Sequence, residues 1–416
     1  MNKEKQKILP ELRFPEFEND EGWIDSTIEE ISLISSGGTP SRAKPEYWNG
    51  DIPWISTTLI NYNKIKIANE FITELGLNNS STKMFPKGTI LMAMYGQGKT
   101  RGKVAVLDIE AAINQACAAI SLKKDMNIEF VFQNLSARYE EIRKISNEGG
   151  QKNLSSTLIK KIPFLHPKIG SEEQQKIANC LSSLDILITA ETEKLVYLKD
   201  HKKGLLQQLF PTKGETKPQF RFPEFMGDGD WEEKKIDKVC EKPFSGGTPT
   251  STNMDYYGGN IPFIRSAEIN KEKTKLFLTQ LGLKNSSAKM VKEGDVLVAL
   301  YGANSGDVGI SKINGAINQA VLCLRSKGSN SFLHQYLSHK KDWIITKYLQ
   351  GGQGNLSGDI IKSVELFFPT DIKEQQKIAN CLSSVDDLIQ AQTTKIEALK
   401  AHKKGLMQQL FPLSEP

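Results

Sequence analysis

The second half of this chain restates the first, and that duplication constrains the fold more than any other feature. Leu12 to Phe17 (LRFPEF) returns as Phe220 to Phe225 (FRFPEF), with Trp23 and Trp231 following at the same interval. Ser36 to Pro40 (SGGTP) returns at Ser245 to Pro249, and Tyr47 to Ile55 (YWNGDIPWI) at Tyr256 to Ile264 (YYGGNIPFI). Glu74 to Leu91 matches Gln280 to Leu297, Ile113 to Ala116 (INQA) returns unchanged at Ile317 to Ala320, and Gly149 to Leu154 (GGQKNL) becomes Gly351 to Leu356 (GGQGNL). The last stretch of each half is best preserved: Glu173 to Pro211 and Glu374 to Pro412 agree at 29 of 39 positions without a gap. Closely matched tails behind divergent globular portions suggest one shared mechanical role and two separately tuned recognition roles.

The tails carry a heptad seam. In the first copy it runs through Ile177, Leu181, Leu184, Ile188, Leu195 and Leu198, then Leu205 and Leu209. In the second it runs through Ile378, Leu382, Val385, Ile389, Ile396 and Leu399, then Leu406 and Leu410. Pro211 and Pro412 mark the stops. Each predicted helix has about 35 residues and a length of roughly 50 Å. Neither can hide its stripe alone, so mutual pairing is expected rather than packing of each helix on its own globular half. Parallel pairing in register would put Lys202 and Lys403 in one layer, whereas antiparallel pairing separates them and brings Glu191 near Gln392.

Upstream of each tail lie short apolar runs broken by Gly, Pro, Asn and Ser. Thr89 to Met94, Val104 to Leu107 and Asp295 to Leu300 read as strands, and Phe130 to Ile145 and Phe332 to Leu349 as helices. Each half is therefore a mixed α+β domain. The expected segments are a first recognition domain over 1–170, a central helix over 171–211, a second recognition domain over 212–371 and a distal helix over 372–416. No apolar run reaches the roughly 18 residues of a membrane span, and no signal peptide is read at the N-terminus, so the expected location is the cytoplasm.

Catalytic signatures are not found. Ala93 to Thr100 (AMYGQGKT) misses the first glycine of a phosphate-binding loop, and its counterpart Leu300 to Gly306 (LYGANSG) has no Gly-Lys-Thr. Five cysteines show no Cys-x-x-Cys spacing and five histidines no metal-ligand spacing. No Asn-Pro-Pro-aromatic or Asp-Pro-Pro-aromatic tetrapeptide marks an adenine methyltransferase. The chain is expected to be non-catalytic and to hold no metal.

Polar, Gly-rich loops remain, at corresponding places in both halves, carrying side chains suited to phosphates and base edges. In the first half these are Ser41, Arg42 and Lys44, then Gln97, Lys99, Thr100 and Arg101, then Gln151, Lys152 and Asn153. In the second they are Thr250, Ser251 and Asn253, then Asn304 and Ser305, then Gln353 and Asn355. The net charge of +5 is compatible with a polyanionic partner but is spread thinly. Because the two sets differ in charge and length, the halves should prefer different half-sites in double-stranded DNA.

The Gly-Gly-Thr-Pro segments, the Tyr-Gly loops, the Gly-Gly-x-x-Asn-Leu segments and the twin Glu-Gln-Gln-Lys-Ile-Ala helices together resemble the specificity subunit of type I restriction-modification systems, over nearly the whole chain. The resemblance implies two target recognition domains separated by two long antiparallel coiled-coil helices. It implies an asymmetric bipartite DNA target, two methyltransferase subunits and motor-nuclease subunits as partners, and helices that set the gap between half-sites. Adenine methylation and ATP-dependent cleavage would then occur in the partners, which would use S-adenosylmethionine, ATP and Mg; this chain would bind none of these cofactors. The competing reading is a coiled-coil scaffold whose globular halves bind protein, and a stand-alone nuclease ranks third.

Overall fold

The computed structural model describes residues 7–96, 99–145, 153–212, 214–348 and 355–412. It divides into two compact units: Met1–Thr192 with Thr394–Pro416, and Glu193–Thr393. Each long helix is thus shared, because the division falls near its middle.

In the first unit the expected strands form a five-stranded sheet in the order Ser32–Ser36, Cys117–Leu122, Ile90–Ala93, Val104–Leu107, Lys64–Ile65, antiparallel except for the last pair. Its central strand is a continuous apolar run because both faces are covered. Ile90 and Met92 face a core with Phe130, Leu135 and Phe164, while Leu91 and Ala93 face a second core with Ile55, Ile113 and Cys117. A four-stranded sheet, in the order Glu70–Ile72, Trp48–Ile55, Ala111–Ile113, Met84–Phe85, lies beyond that second core. The second unit repeats the plan with sheets ordered Phe244–Ser245, Val321–Leu324, Val296–Ala299, Val308–Ile310 and Leu276–Leu278, Tyr257–Ile264, Gly315–Ile317, Lys289–Val291.

The helix expected over Phe130 to Ile145 is two helices, Ile128–Ala137 and Tyr139–Lys144. They break at Arg138, whose buried guanidinium binds Glu141 in two-pronged fashion and also donates to the Pro163 carbonyl at 2.5 Å. The counterpart in the second unit is one helix, Asn330–Tyr348.

The central helix spans Glu172–Leu209 (38 residues) and the distal helix Ile372–Leu410 (39 residues), each ending just ahead of its proline. Their pairing is antiparallel. In the first unit Lys395 reaches Glu191 and Lys403 reaches Asp185, both at 2.6 Å, so the index falls along one helix as it rises along the other. In the second unit Lys202 reaches Asp386 at 2.6 Å. A glutamine from each domain completes the node: Gln133 Nε2 donates to Asp185 at 2.7 Å, and Gln335 Nε2 to Asp386 at 2.6 Å.

The seam has two kinds of residue. Leu184, Ile188, Leu195, Leu198, Ile389 and Leu399 are half-buried, and Val385 and Ile396 are buried. The first members do more than pair helices. Ile177 and Leu181 enter the first domain core together with Leu410 and Phe411, whereas Ile378 and Leu382 enter the second with Leu209 and Phe210. Each domain core therefore closes on the beginning of one long helix and the end of the other, and both the pairing and the domain packing hide the stripe. Among the described residues no helix is long and apolar enough to cross a membrane.

The repeated Arg-Phe-Pro-Glu-Phe segment explains how helix and domain are joined. Arg13 donates to both oxygens of Glu173 at 2.8 Å, and Trp23 Nε1 adds a bond to the same carboxylate at 3.2 Å. In the second unit Arg221 binds Glu374 at 2.8 and 2.7 Å, and Trp231 Nε1 adds 3.3 Å. Both carboxylates are buried, so the two-pronged geometry matters. Those hydrogen bonds, together with the carboxylate charges, raise the pKa of each arginine above its ordinary value.

Candidate nucleic-acid interface

Three repeated motifs and the last residues of a fourth, scattered over more than a hundred residues, are joined by backbone hydrogen bonds in each domain. In the first domain the strand Ile90–Ala93 leads into Met94 and the Tyr95–Gly96 loop. Met94 N–H donates to Ala116 of the Ile-Asn-Gln-Ala segment at 2.9 Å, and its carbonyl accepts from Leu154 N–H of the Gly-Gly-Gln-Lys-Asn-Leu segment at 3.0 Å. Gly38 N–H of the Gly-Gly-Thr-Pro segment donates to Ile113 at 2.9 Å. In the second domain Leu300 is bonded likewise to Ala320 at 2.8 Å and to Leu356 at 3.1 Å, while the glycine contact is shifted by one residue, Gly246 N–H donating to Asn318 at 3.2 Å. Leu154 and Leu356 are fully buried.

Gly37 and Gly246 are required by contact rather than by turn geometry. A Cβ on either would come within 1.8 or 1.7 Å of the carbonyl oxygen of Ile113 or Ile317, so no other residue lets the segment lie on that strand.

The first-half candidates that the structure describes differ in exposure. Arg42 is exposed, stacks 3.6 Å above the centroid of the Trp48 ring and pairs with Glu70 at 2.5 Å. Ser41 is exposed, and its carbonyl accepts from Trp48 Nε1 at 3.2 Å. Lys44 is exposed and donates to the Tyr47 hydroxyl at 3.0 Å, which raises its pKa. Lys99 is exposed, with its carbonyl bonded by the Tyr139 hydroxyl at 2.7 Å, and Thr100 is half-buried. Arg101 points inward instead: it is 9% exposed and donates to the Arg143 carbonyl at 2.8 Å. Asn153 is half-buried beside Leu154. Gln97, Gln151, Lys152 and Gln353 lie outside the described residues.

In the second half Thr250 and Ser251 are exposed, and the Asn253 side chain accepts from Asp255 N–H at 3.1 Å, capping a short turn. Asn304 Nδ2 donates to Asp307 at 3.1 Å, and the Ser305 hydroxyl to the Leu300 carbonyl at 3.0 Å, so both hold the shape of their own loop. Asn355 is exposed.

Sequence reading missed several residues here. Thr39 donates to the exposed Gln115, and Thr248 to the exposed Gln319 at 2.7 Å. Lys103 donates to Asn61 at 2.7 Å and lies over the Tyr62 ring. The unchanged Ile-Asn-Gln-Ala tetrapeptide was the available signal for the glutamines. Nothing in the spacing links Lys103 to Asn61, because they meet only through the fold.

The description "type I restriction modification DNA specificity domain" belongs to a family model that matches this chain twice, over residues 20–199 and 228–401. The specificity subunit of the type I restriction enzyme MjaIX from Methanocaldococcus jannaschii is 28% identical over 291 residues, covering 66% of this chain and 65% of that protein. The EcoR124I/EcoR124II specificity subunit of Escherichia coli is 30% identical over 180 residues, covering 42% of this chain and 44% of that protein. The matched region thus spans less than two thirds of these curated relatives. The S subunit of a type I restriction-modification system from M. genitalium has the same fold, with a TM-score of 0.63 at 15% identity, covering 98% of this chain and 100% of that one. A chain from a structure of complex assembly and conformational transition in a type I restriction-modification system gives a TM-score of 0.58 at 16% identity, covering 94% and 98%. With both repeats matched over most of their length, this chain belongs to the type I restriction modification DNA specificity domain family.

Proposed function

We propose that this chain supplies DNA sequence specificity to a type I restriction-modification complex, each domain reading one half of an asymmetric bipartite target. The observation that carries this reading is the backbone hydrogen bonding that joins the repeated motifs to one another in each domain, with exposed cations, amides and hydroxyls on the loops next to them. Groups of this kind bind phosphate oxygens and base edges. The first domain offers Arg42, Lys44 and Lys99, and the second offers Thr250, Ser251 and Asn355. Gln97, Thr100, Gln151, Lys152, Asn153, Asn253, Asn304, Ser305 and Gln353 complete the two sets or shape their loops. Arg101 serves its loop from within.

The chain acts without catalysing either reaction. Two methyltransferase subunits methylate adenine with S-adenosylmethionine, and motor-nuclease subunits cleave with ATP and Mg. The paired helices dock the methyltransferases and set the number of unspecified bases between half-sites.

Co-expression with a methyltransferase subunit and mapping of modified adenines across a genome tests the reading. The expected result is one bipartite motif with two unlike halves. Adding or removing the same few residues in both helices should change the gap and leave both halves intact. Duplex binding that ignores salt, or a methylation pattern without a motif, would instead favour a protein-binding scaffold.

A further inference from the structure

We infer that Gln115 and Gln319 are a matched pair of DNA contacts, each presenting its amide N–H group to a backbone phosphate of its own half-site. The inference rests on the DNA-reading role proposed above and assigns that role to two residues identical in the two domains.

Both glutamines are exposed, yet the chain around them is fixed. Asn114 N–H donates to Ile55 at 2.9 Å, and the Asn114 side chain accepts from Ala116 N–H at 3.1 Å. Asn318 accepts from Ala320 N–H at 3.1 Å through its side chain and from Gly246 N–H at 3.2 Å through its carbonyl. Each glutamine therefore stands on an anchored loop. Its side chain is then held a second time, because the threonine of the Gly-Gly-Thr-Pro segment donates its hydroxyl to Oε1. That threonine is itself fixed by the glycine pressed against Ile113 or Ile317 and by the proline that follows.

A surface glutamine ordinarily keeps its rotamers, and an exposed hydrogen bond between neutral groups does little to offset ordering so flexible a side chain. The same pinned arrangement nonetheless stands in both domains. With one lone pair of Oε1 taken by threonine, the group turned to solvent is the amide donor, which seeks an acceptor. The surrounding loops differ between domains, Arg42 and Lys44 standing where the second has Ser251 and Asn253. A residue that stays the same amid such divergence meets a feature both half-sites share, and the phosphate backbone is that feature.

The test uses the full chain assembled with methyltransferase subunits. The probes are a duplex bearing the target mapped by adenine methylation and a set of the same duplex with single neutral methylphosphonates. Gln115→Ala should weaken binding roughly tenfold with base preference unchanged. One methylphosphonate that weakens the unaltered protein should have no further effect in that variant, and Gln319→Ala should mirror this in the other half-site. Thr39→Val should act in the same direction, whereas Thr39→Ser, which keeps the hydroxyl, should bind normally. A changed base preference would overturn the inference by making the glutamine a base reader. Unchanged affinity with a lowered melting temperature would overturn it by making the role structural. If the unaltered complex shows no salt-sensitive binding to the mapped duplex, the DNA-reading role itself fails, and that outcome is distinct from the other two.

Discussion

The two domains agree where they meet the long helices and differ where their loops converge. The Arg13–Glu173–Trp23 clamp and the Arg221–Glu374–Trp231 clamp match to within 0.1 Å in every bond. The Gln133–Asp185–Lys403 and Gln335–Asp386–Lys202 nodes are equally alike. At the loop end, Arg42 lies on Trp48 and pairs with Glu70, whereas the matching positions carry Ser251, Tyr257 and Leu276. A duplicated chain can vary its loops freely only if the joint that carries them stays fixed. The comparison therefore separates residues that hold the frame from residues that give each half its own character.

The largest effect is expected at the clamps. Arg13→Ala or Arg221→Ala leaves a buried carboxylate without its partner, which typically costs about 3 kcal/mol or more. Because the two clamps share one geometry, urea denaturation should give nearly equal losses for the two variants. A loss in one domain only would break the equivalence. Replacing the ion pair as a unit, Arg13→Met with Glu173→Leu, should recover part of the stability, since apolar groups of similar volume need no partner, although the buried Trp23 Nε1 then loses its acceptor.

The next effect concerns one position where the frames differ. Phe132 is buried in the first domain, and the residue at the matching place in the second is His334. Burial chiefly, with help from the Lys202 charge and against an opposing pull from Asp386 and a backbone hydrogen bond at Val308, lowers the His334 pKa from its ordinary value of 6.5 to about 4. The folded pKa lies below the unfolded one, so between those values the unfolded chain binds the extra proton. Stability from this group is complete above about pH 7, falls as pH drops through 6.5, and is lost below about 4. By pH 5 His334 alone should remove about 2 kcal/mol from the second domain; His339, also lowered by burial to about 4, adds to that loss, and buried His166 in the first domain shifts in the same direction. His334→Phe, which copies the first domain, should remove only this part of the loss between pH 7 and pH 5 in denaturation curves, leaving the part due to His339. An unchanged pH response would show that another group controls it.

The sequence made the frame legible and left much of the loop end obscure, for physical reasons. Heptad spacing and the two prolines gave the long helices, because helix periodicity is local. Thr89 to Met94 and Val104 to Leu107 were readable as strands because their apolar runs are covered on both faces. Strand order was not readable, since Trp48–Ile55 finds Ala111–Ile113 through closure of a long loop rather than through any neighbouring signal. The break at Arg138 was equally hidden, as was the bond from its guanidinium to a carbonyl 25 residues away. Among the site candidates, Arg42, Lys44 and Lys99 proved exposed, but Arg101, alike in charge and only two residues beyond Lys99, turned inward. Residue type indicates which groups can touch a phosphate, and only the fold determines which of them face outward.

A smaller effect is expected from giving the first loop the side chains of the second. Arg42→Ser with Lys44→Asn removes two exposed cations, and binding to the mapped duplex should weaken by roughly tenfold or more near 0.15 M salt. The slope of log affinity against log salt should become shallower by about 1 to 2, because each phosphate contact releases counterions. Affinity lost without any change in slope would mean that these cations act through their contacts with Trp48 and Glu70 (Arg42) and Tyr47 (Lys44) rather than on phosphate. The reverse change, Ser251→Arg, should gain little, since Leu276 stands where Glu70 would orient the guanidinium.

The smallest effect sharpens the comparison at a single turn. Asn49 and Gly258 occupy matching places, both with positive φ (62° and 79°), inside strands whose pairing shifts register there. Asn tolerates the left-handed region better than other side chains, because its short amide can bond locally, and Gly enters it without a steric penalty. A Cβ at Gly258 would meet nothing within 4 Å, so space does not oppose a larger residue. Exchanging the two, Asn49→Gly or Gly258→Asn, should therefore change stability by only a few tenths of a kcal/mol, near the lower limit of mutational effects. Gly258→Ala should cost about 1 kcal/mol, since alanine has no local bond to offset the left-handed conformation. If Gly258→Ala is neutral while Gly258→Asn is costly in thermal unfolding, side-chain contact rather than backbone conformation governs the turn, and the two domains are not equivalent there.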